Sequence, residues 1–335
     1  MTPSRRGSSP FRRRLLPQKE VLTVLRNARG RYVSGSRLAA GLCLTRAAIH
    51  KQVVRLREWG YDITGTNRKG YRLENSPQAL DTDRFRAASL GRPICHFPSL
   101  GSTQDELKER ALAGAPQGTL VLADEQTSGR GRMGRRWLSP RGGLWFSLLL
   151  RPAIPPAQVP ALALVAALDW AMVLRRATGL PACVKWPNDV WIDNRKVAGI
   201  LTEMSSEMDR VHWVVLGVGV NINNPSPRGM TPPAASLREM TGKPFYRQAL
   251  LEDWLKRFAG SLRRYQRDGF SAFRRDCEEC LSMKGRTVVC ETAQGTVAGR
   301  VEGIDGEGRL LLRTAAGLRR FGEGAIRLKK GDERA

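Results

Sequence analysis

Between residues 18 and 74 the apolar positions fall into short groups with helical spacing, followed by a switch to strand-like alternation. Val21, Leu22 and Leu25 form one group, closed by Arg29 and Gly30. Ser34 or Ser36 is placed to cap a second short helix carrying Leu38 and Ala39. After a turn at Gly41–Leu44, Thr45 caps a third helix that runs to about Trp59 and is stopped by Gly60, with Ile49, Val53 and Leu56 on one face. Tyr61–Thr64 and Tyr71–Leu73 then alternate like paired strands around the basic turn Asn67–Gly70. Helices followed by a basic hairpin predict a winged helix-turn-helix. Such a motif places its third helix in the major groove, so Arg46, Ala47, His50 and Lys51 on that helix and Arg68 and Lys69 on the wing are the candidate DNA contacts. A small helical domain with a solvated basic face would carry the same charges, but the order of elements favours DNA.

Past a linker at Asn75-Ser-Pro-Gln, the pattern becomes mixed. Strand-like runs at Gly118–Ala123, Leu144–Leu150 and Val211–Val220 alternate with helical stretches at Gln104–Ala113, Pro160–Thr178, Tyr246–Asp268 and Phe270–Cys280. From about Gly285, short strands between glycine turns suggest a small β-barrel. The expected organisation is α+β and multidomain: a disordered basic tail at 1–17, a DNA-binding domain at 18–77, a catalytic domain at 78–282 and the barrel at 283–335. No internal repeat is visible.

Charge sharpens this division. The chain of 335 residues carries 56 Lys and Arg against 31 Asp and Glu, a net charge of +25, which points to a polyanionic partner. Residues 1–75 hold 17 of those cations and 4 of the anions. The tail, with Arg5, Arg6, Arg12, Arg13 and Arg14 among Ser, Gly and Pro, lacks the apolar content to pack. The longest apolar run, Ala161–Leu174, is fourteen residues long and contains Asp169, short of the ~20 a membrane span needs. No secretory signal precedes the helices, and six irregularly spaced cysteines suit reduced thiols in the cytoplasm. Cys277-Glu-Glu-Cys280 has no second pair or nearby His to complete a zinc site, so it reads as two surface or half-buried thiols on a helix and no metal site is expected.

Three stretches look chemical. Glu125–Trp137 packs Arg130, Arg132, Arg135 and Arg136 among glycines, a mobile loop with forked donors for phosphate or carboxylate and an aromatic that could lie on a base. Taken alone, it could also be a nucleic-acid-binding tract. Val184–Glu203 reads as two strands about a turn at Asp193-Asn194, with Lys185 and Lys196 as cations and Asp189 between them. Lysines in apolar strand surroundings are costly without an anion, although a hairpin with a solvated polar face would look similar. Gly101-Ser102-Thr103-Gln104 precedes a helix and could bind polar groups or simply cap it.

In this order, Gly101-Ser-Thr-Gln, Gly129-Arg-Gly-Arg-Met-Gly-Arg, Lys185-Trp-Pro-Asn-Asp, Arg195-Lys-Val-Ala-Gly and Gly217-Val-Gly-Val-Asn closely resemble the bifunctional biotin–protein ligases that double as biotin operon repressors. The resemblance runs from about Gln18 to Lys329. It implies a class II aminoacyl-tRNA synthetase-like ligase domain and an SH3-like barrel. It also implies biotin and ATP as substrates with Mg²⁺, formation of biotinyl-5′-AMP, and transfer to a lysine of a biotin carboxyl carrier protein. Lys196 matches the lysine that bridges biotin carboxylate and α-phosphate. Arg130, Gly131 and Arg132 match the loop that closes over the adenylate, and Trp137 the aromatic that packs on adenine. Ser102, Thr103, Gln104 and Gln126 match the biotin head-group site. Lys185, Asn188 and Asp189 match groups near the phosphates and the incoming lysine, and Asn221 a nucleotide contact. Operator DNA and an adenylate-bound homodimer are the implied regulatory partners, and no membrane is.

Two residues depart from the pattern: Gln104 stands where the family usually has Asn, and Met133 where a polar residue is common. Two other readings remain at this point. One is a lipoate or other acyl ligase on the same fold, whose members lack the paired Gly/Arg loop and Lys-Trp-Pro-Asn-Asp stretch. The other is a ligand-sensing transcription factor without ligase activity.

Overall fold

A computed structural model describes residues 17–58, 61–74, 80–82, 85, 89–226, 229, 231–293 and 295–328. The expected basic tail, the helix stop at Gly60 and the linker at Asn75-Ser-Pro-Gln lie outside them. The chain divides into two compact units, Met1–Ala79 and Leu80–Ala335, each with its own core.

In the first unit, α1 (Pro17–Asn27), α2 (Gly35–Leu42) and α3 (Arg46–Glu58) precede the antiparallel hairpin of β1 (Ile63–Thr66) and β2 (Gly70–Leu73). Ser34 is the cap of α2, its Oγ accepting the Arg37 N–H at 3.1 Å, and Thr45 Oγ1 caps α3 through the Ala48 N–H at 3.1 Å. Val21, Leu22, Leu25, Leu38, Ile49, Val53 and Leu56 converge in the core, as their periodicity requires.

The second unit is built on a seven-stranded sheet. Its strands are β3 (Ile94–Phe97), β4 (Leu120–Ala123), β5 (Leu144–Leu150), β6 (Cys183–Lys185), β7 (Asp189–Ile192), β8 (Arg195–Glu207) and β9 (Arg210–Val220), in the order β3-β4-β5-β9-β8-β7-β6. Only β3 and β4 run parallel. Alternation along the strands sorts side chains between two faces. Phe146, Leu148, Leu216 and Val218 pack under α5 (Val159–Thr178) and α7 (Arg247–Asp268) in the main core. The opposite face packs α4 (Thr103–Leu112) on Val121, Leu149, Trp213 and Val215, and then turns polar and glycine-rich where Ser147 pairs with Gly217 and Trp145 with Gly219. This second face carries the site. Short α6 (Leu237–Thr241), started by a Ser236/Glu239 capping box, and α8 (Arg274–Glu279) complete the unit's helices among the described residues.

The C-terminal module is a five-stranded antiparallel sheet of β10 (Thr287–Thr292), β11 (Gly295–Ile304), β12 (Leu310–Thr314), β13 (Gly317–Phe321) and β14 (Ala325–Leu328), in the order β13-β12-β11-β10-β14. It joins the main core through Val288, Val301, Leu310 and Leu312, and the Trp186 indole N–H donates to the Gly308 carbonyl at 3.0 Å.

Several details differ from expectation. The sequence 270–280 is not one helix: Phe270–Phe273 forms a tighter 3₁₀ turn before α8. Cys277 and Cys280 are fully buried in the main core rather than at the surface, and burial raises both thiol pKa values. All six cysteines are unbridged. α5 spans 20 residues, long and apolar enough to cross a membrane by length and composition, but most of it is packed inside the core. Its Asp169 is buried and paired with Arg257 Nε at 2.6 Å.

Candidate active site

The glycines of β8 and β9 leave the second sheet face bare enough for a cavity of about 450 Å³. A Cβ on Gly219 would come within 2.5 Å of Trp137 Nε1, so the indole lies directly on the strand backbone there. All the expected ligase site residues line this one cavity. Ser102, Thr103 and Gln104 enter from the start of α4, and Gln126, Arg130, Gly131, Arg132 and Trp137 from the loop after β4. Lys185, Asn188, Asp189 and Lys196 come from β6 to β8, and Asn221 from the end of β9.

The cationic end is formed by the short strands β6 and β7 and the start of β8. Lys185 pairs in register with Asp189, and Trp191 with Lys196. Left-handed Asp193 and Asn194 make the tight turn that returns the chain from β7 to β8. Lys196 Nζ lies 2.7 Å from Asp189 Oδ1 and 5.0 Å from the centre of the Trp137 ring. Lys185 ends β6, and its Nζ stands 3.9 Å from the centre of the Trp191 ring. Burial pushes its pKa down to about 8; Asp189 opposes the shift and Lys196 adds to it. Two ammonium groups and one carboxylate share this corner, which suits an incoming anion.

The Gly/Arg loop is folded on itself. The Gly131 N–H donates to the Arg135 carbonyl at 2.7 Å, the backbones of Arg130 and Arg136 pair in an isolated antiparallel bridge, and Met133 adopts a left-handed conformation with its side chain exposed. Arg132 Nη1 donates to Asn188 Oδ1 at 3.2 Å, and Asn188 Nδ2 to the Ile200 carbonyl at 2.5 Å, tying loop to hairpin. Burial lowers the Arg132 pKa against the pull of Asp189 and Glu323. Arg130 pairs with Asp105 and, at 3.6 Å, with Glu203.

At the other end Ser102 caps α4, its Oγ 3.5 Å from the Asp105 nitrogen. Thr103 donates its backbone N–H to Gln126 Oε1 at 2.8 Å, and Gln126 Nε2 donates to Ser139 Oγ at 2.8 Å. Gln104 does not point into solvent: its Nε2 donates to the Val215 carbonyl at 3.1 Å and its Oε1 accepts from Ser147 Oγ at 3.0 Å. Asn221 accepts from Asn224 Nδ2 at 3.0 Å.

Sequence reasoning overlooked Ser147, Asp105, Glu203 and the share the C-terminal module takes in lining the cavity. A serine within the apolar run Leu144–Leu150 was the available signal for the first. Nothing local marks Asp105 or Glu203 as partners of Arg130. Glu291, Gly324, Ala325, Ile326 and Arg327 line the cavity although they lie far along the chain from Asn221.

In the first unit Arg46, Ala47, His50, Lys51, Arg68 and Lys69 are all exposed. His50 Nδ1 lies 3.2 Å from the Tyr71 hydroxyl, linking α3 to the wing.

Three family profiles match in order: the HTH domain at residues 17–72, the Biotin/lipoate A/B protein ligase family at 96–221 and the Biotin protein ligase C terminal domain at 285–329. The bifunctional ligase/repressor BirA of Bacillus subtilis is 36% identical over 319 residues, covering 93% of this chain and 98% of its own. The chain belongs to the bifunctional ligase/repressor family. The Escherichia coli member is 29% identical over 91% of this chain and 96% of its own. Among solved structures, the Aquifex aeolicus biotin protein ligase in complex with biotin and ATP superposes with a TM-score of 0.64 at 33% identity, covering 71% of this chain and 100% of that one. In the terms of this family, the first unit is the HTH domain, the seven-stranded sheet is the ligase domain, and the five-stranded sheet is the C-terminal domain.

Proposed function

We propose that the chain activates biotin with ATP and transfers it to a lysine of a biotin carboxyl carrier protein, and that it represses transcription through its HTH unit. The observation that carries the catalytic reading is Lys196, held 2.7 Å from Asp189 inside a cavity walled by the Gly/Arg loop. A carboxylate is a poor acyl donor. In the first step its oxygen attacks the α-phosphorus of ATP and pyrophosphate leaves; two anions must meet, and Lys196 screens them. Lys185 and Arg132 stand beside it for the phosphates. Arg130, Gly131 and Arg132 cover the mixed anhydride and keep water away. Trp137 packs on the adenine, with Asn188 and Asn221 at the nucleotide. Ser102, Thr103 and Gln126 hold the biotin head group. In the second step the carrier lysine amine attacks the acyl carbon, AMP leaves, and Asp189 takes the amine's proton.

Mg²⁺ accompanies the nucleotide. Among the described residues no three His, Cys, Asp or Glu side chains could hold an ion, so those residues provide no cage and the ion would be held mainly by the phosphates. At the level of fold, the ligase sheet is read as class II synthetase-like and the C-terminal sheet as an SH3-like barrel. The exposed cations of α3 and the wing contact operator DNA, and the adenylate-bound form dimerises on a two-fold site.

The test is transfer itself. Incubated with biotin, ATP, Mg²⁺ and a purified biotin carrier domain, the chain should add one biotinyl group to a single carrier lysine, read by mass. Lipoyl transfer in its place, or none, would overturn the reading.

A further inference from the structure

Beneath the Gln126 side of the cavity lies a hydrogen-bonded chain in which protons and contacts do not match. Thr103 (3% exposed), Gln104 (4%) and Ser147 (0%) are buried together on the sheet face. Thr103 Oγ1 is 3.0 Å from Gln126 Oε1 and 2.9 Å from Ser147 Oγ, and Ser147 Oγ is 3.0 Å from Gln104 Oε1. The two amides are fixed in direction. Gln104 Nε2 is committed to the Val215 carbonyl and Gln126 Nε2 to Ser139 Oγ, while Gln126 Oε1 accepts the Thr103 N–H. Both amides therefore present oxygen to the hydroxyl pair. Three oxygen–oxygen contacts must be served by two hydroxyl protons.

Where the shortage falls is decided by burial. Gln104 Oε1 lies against Gly217, where even a Cβ would collide with it, and among the described residues Ser147 is the group placed to donate to it. Leaving a buried acceptor unserved is costly, so Ser147 gives its proton to Gln104 and Thr103 gives its own to Ser147. Thr103 Oγ1 and the Oε1 of half-buried Gln126, 3.0 Å apart, are then left with no proton between them.

We infer that Ser147 and Gln104 are positioning residues that hold the Thr103 hydroxyl as an acceptor, so that the Thr103–Gln126 oxygen pair selects a ligand bearing an N–H donor. This rests on the biotin reading and deepens it. A ureido N–H supplies the missing proton, whereas a dithiolane acid has none to offer. It also gives Gln104 a role that does not need contact with the ligand.

The experiment is ATP–pyrophosphate exchange with the full chain, comparing biotin with biotin methylated at either ureido nitrogen. Wild type should discriminate strongly against one of the two methylated forms. Ser147→Ala lets Thr103 donate to Gln126, and Gln104→Leu frees the Ser147 proton to pass along the chain, so either change fills the gap from within. Each should raise the biotin KM about tenfold, one hydrogen bond's worth, while kcat and the ATP KM hold. Discrimination against the methylated form should shrink by a similar factor, and the double variant should be no worse than either single one. An unchanged biotin KM in either folded variant would overturn the inference. So would equal use of biotin and both methylated forms by wild type, which needs no variant. Loss of all biotin-dependent exchange in wild type would instead overturn the ligase reading.

Discussion

At the scale of single residues the site depends on where positive charge is placed and how dry it is. Lys196 is half-buried and tethered by Asp189, so its ammonium has a fixed position when substrate anions arrive. Lys196→Ala should cut adenylate formation by at least ~10²-fold, the scale of losing one preorganised electrostatic contact, measured by single-turnover formation of the acyl-AMP anhydride. Lys185 carries a pH signature. Its pKa is pushed down from 10.5 to about 8, mainly by burial. It is therefore charged below pH 8 and loses that charge as pH rises, so phosphate affinity should fall with a midpoint near 8. Lys185→Arg, which stays protonated, should flatten that alkaline limb in the pH profile of the ATP KM. The stability consequence has the opposite sign: between about 8 and 10.5 the unfolded chain binds the extra proton, so Lys185 costs stability below pH 8 and the cost is relieved as pH rises. A thermal melt series across that range checks it.

At the scale of elements, strands and loop act through backbone proximity. Gly219 lets Trp137 lie on β9, and Gly219→Val would drive the indole off its seat. The cost of such overpacking, roughly 1–3 kcal/mol, should appear as a higher ATP KM in a folded protein. The Gly/Arg loop is tied down by Arg132 to Asn188. Arg132→Gly should loosen the loop and release adenylate, labelling exposed lysines of bystander proteins; retention equal to wild type would show the loop is no lid. Much of this was legible in the sequence. Val21, Leu22 and Leu25 or Ile49, Val53 and Leu56 repeat at one helical period because each helix buries one stripe. The cation motifs stood out because lysine in an apolar strand needs a reason. What was hidden has physical causes. The second half of β8, up to Glu207, is mostly polar and half-buried to exposed, so no alternation marks it, and its strand character comes from pairing with β9. β3 and β6 are too short to show a period. The two buried cysteines follow a helical face that only the packing of α5 reveals.

At the scale of the whole molecule, two units with separate cores divide two tasks. Removing residues 1–79 should abolish operator binding and leave biotin adenylation largely intact, since every cavity residue lies beyond that boundary. Operator binding by the full chain should weaken with salt by about 0.9 log units per log unit for each phosphate contact. Removing residues 1–17 should flatten that slope without changing operator choice, because a basic tail neutralises phosphates without reading base edges. If the adenylate promotes the dimer and the dimer binds the operator, biotin plus ATP must tighten DNA binding at fixed salt and protein concentration.

The central claim is that this cavity joins biotin's carboxylate to the α-phosphate of ATP. Incorporation of labelled pyrophosphate into ATP measures that step alone, without carrier or DNA. The account predicts exchange that requires biotin, is not supported by lipoate, and disappears in Lys196→Ala while the fold persists. Exchange driven by lipoate, exchange without any acid, or wild-type rates in Lys196→Ala would contradict it.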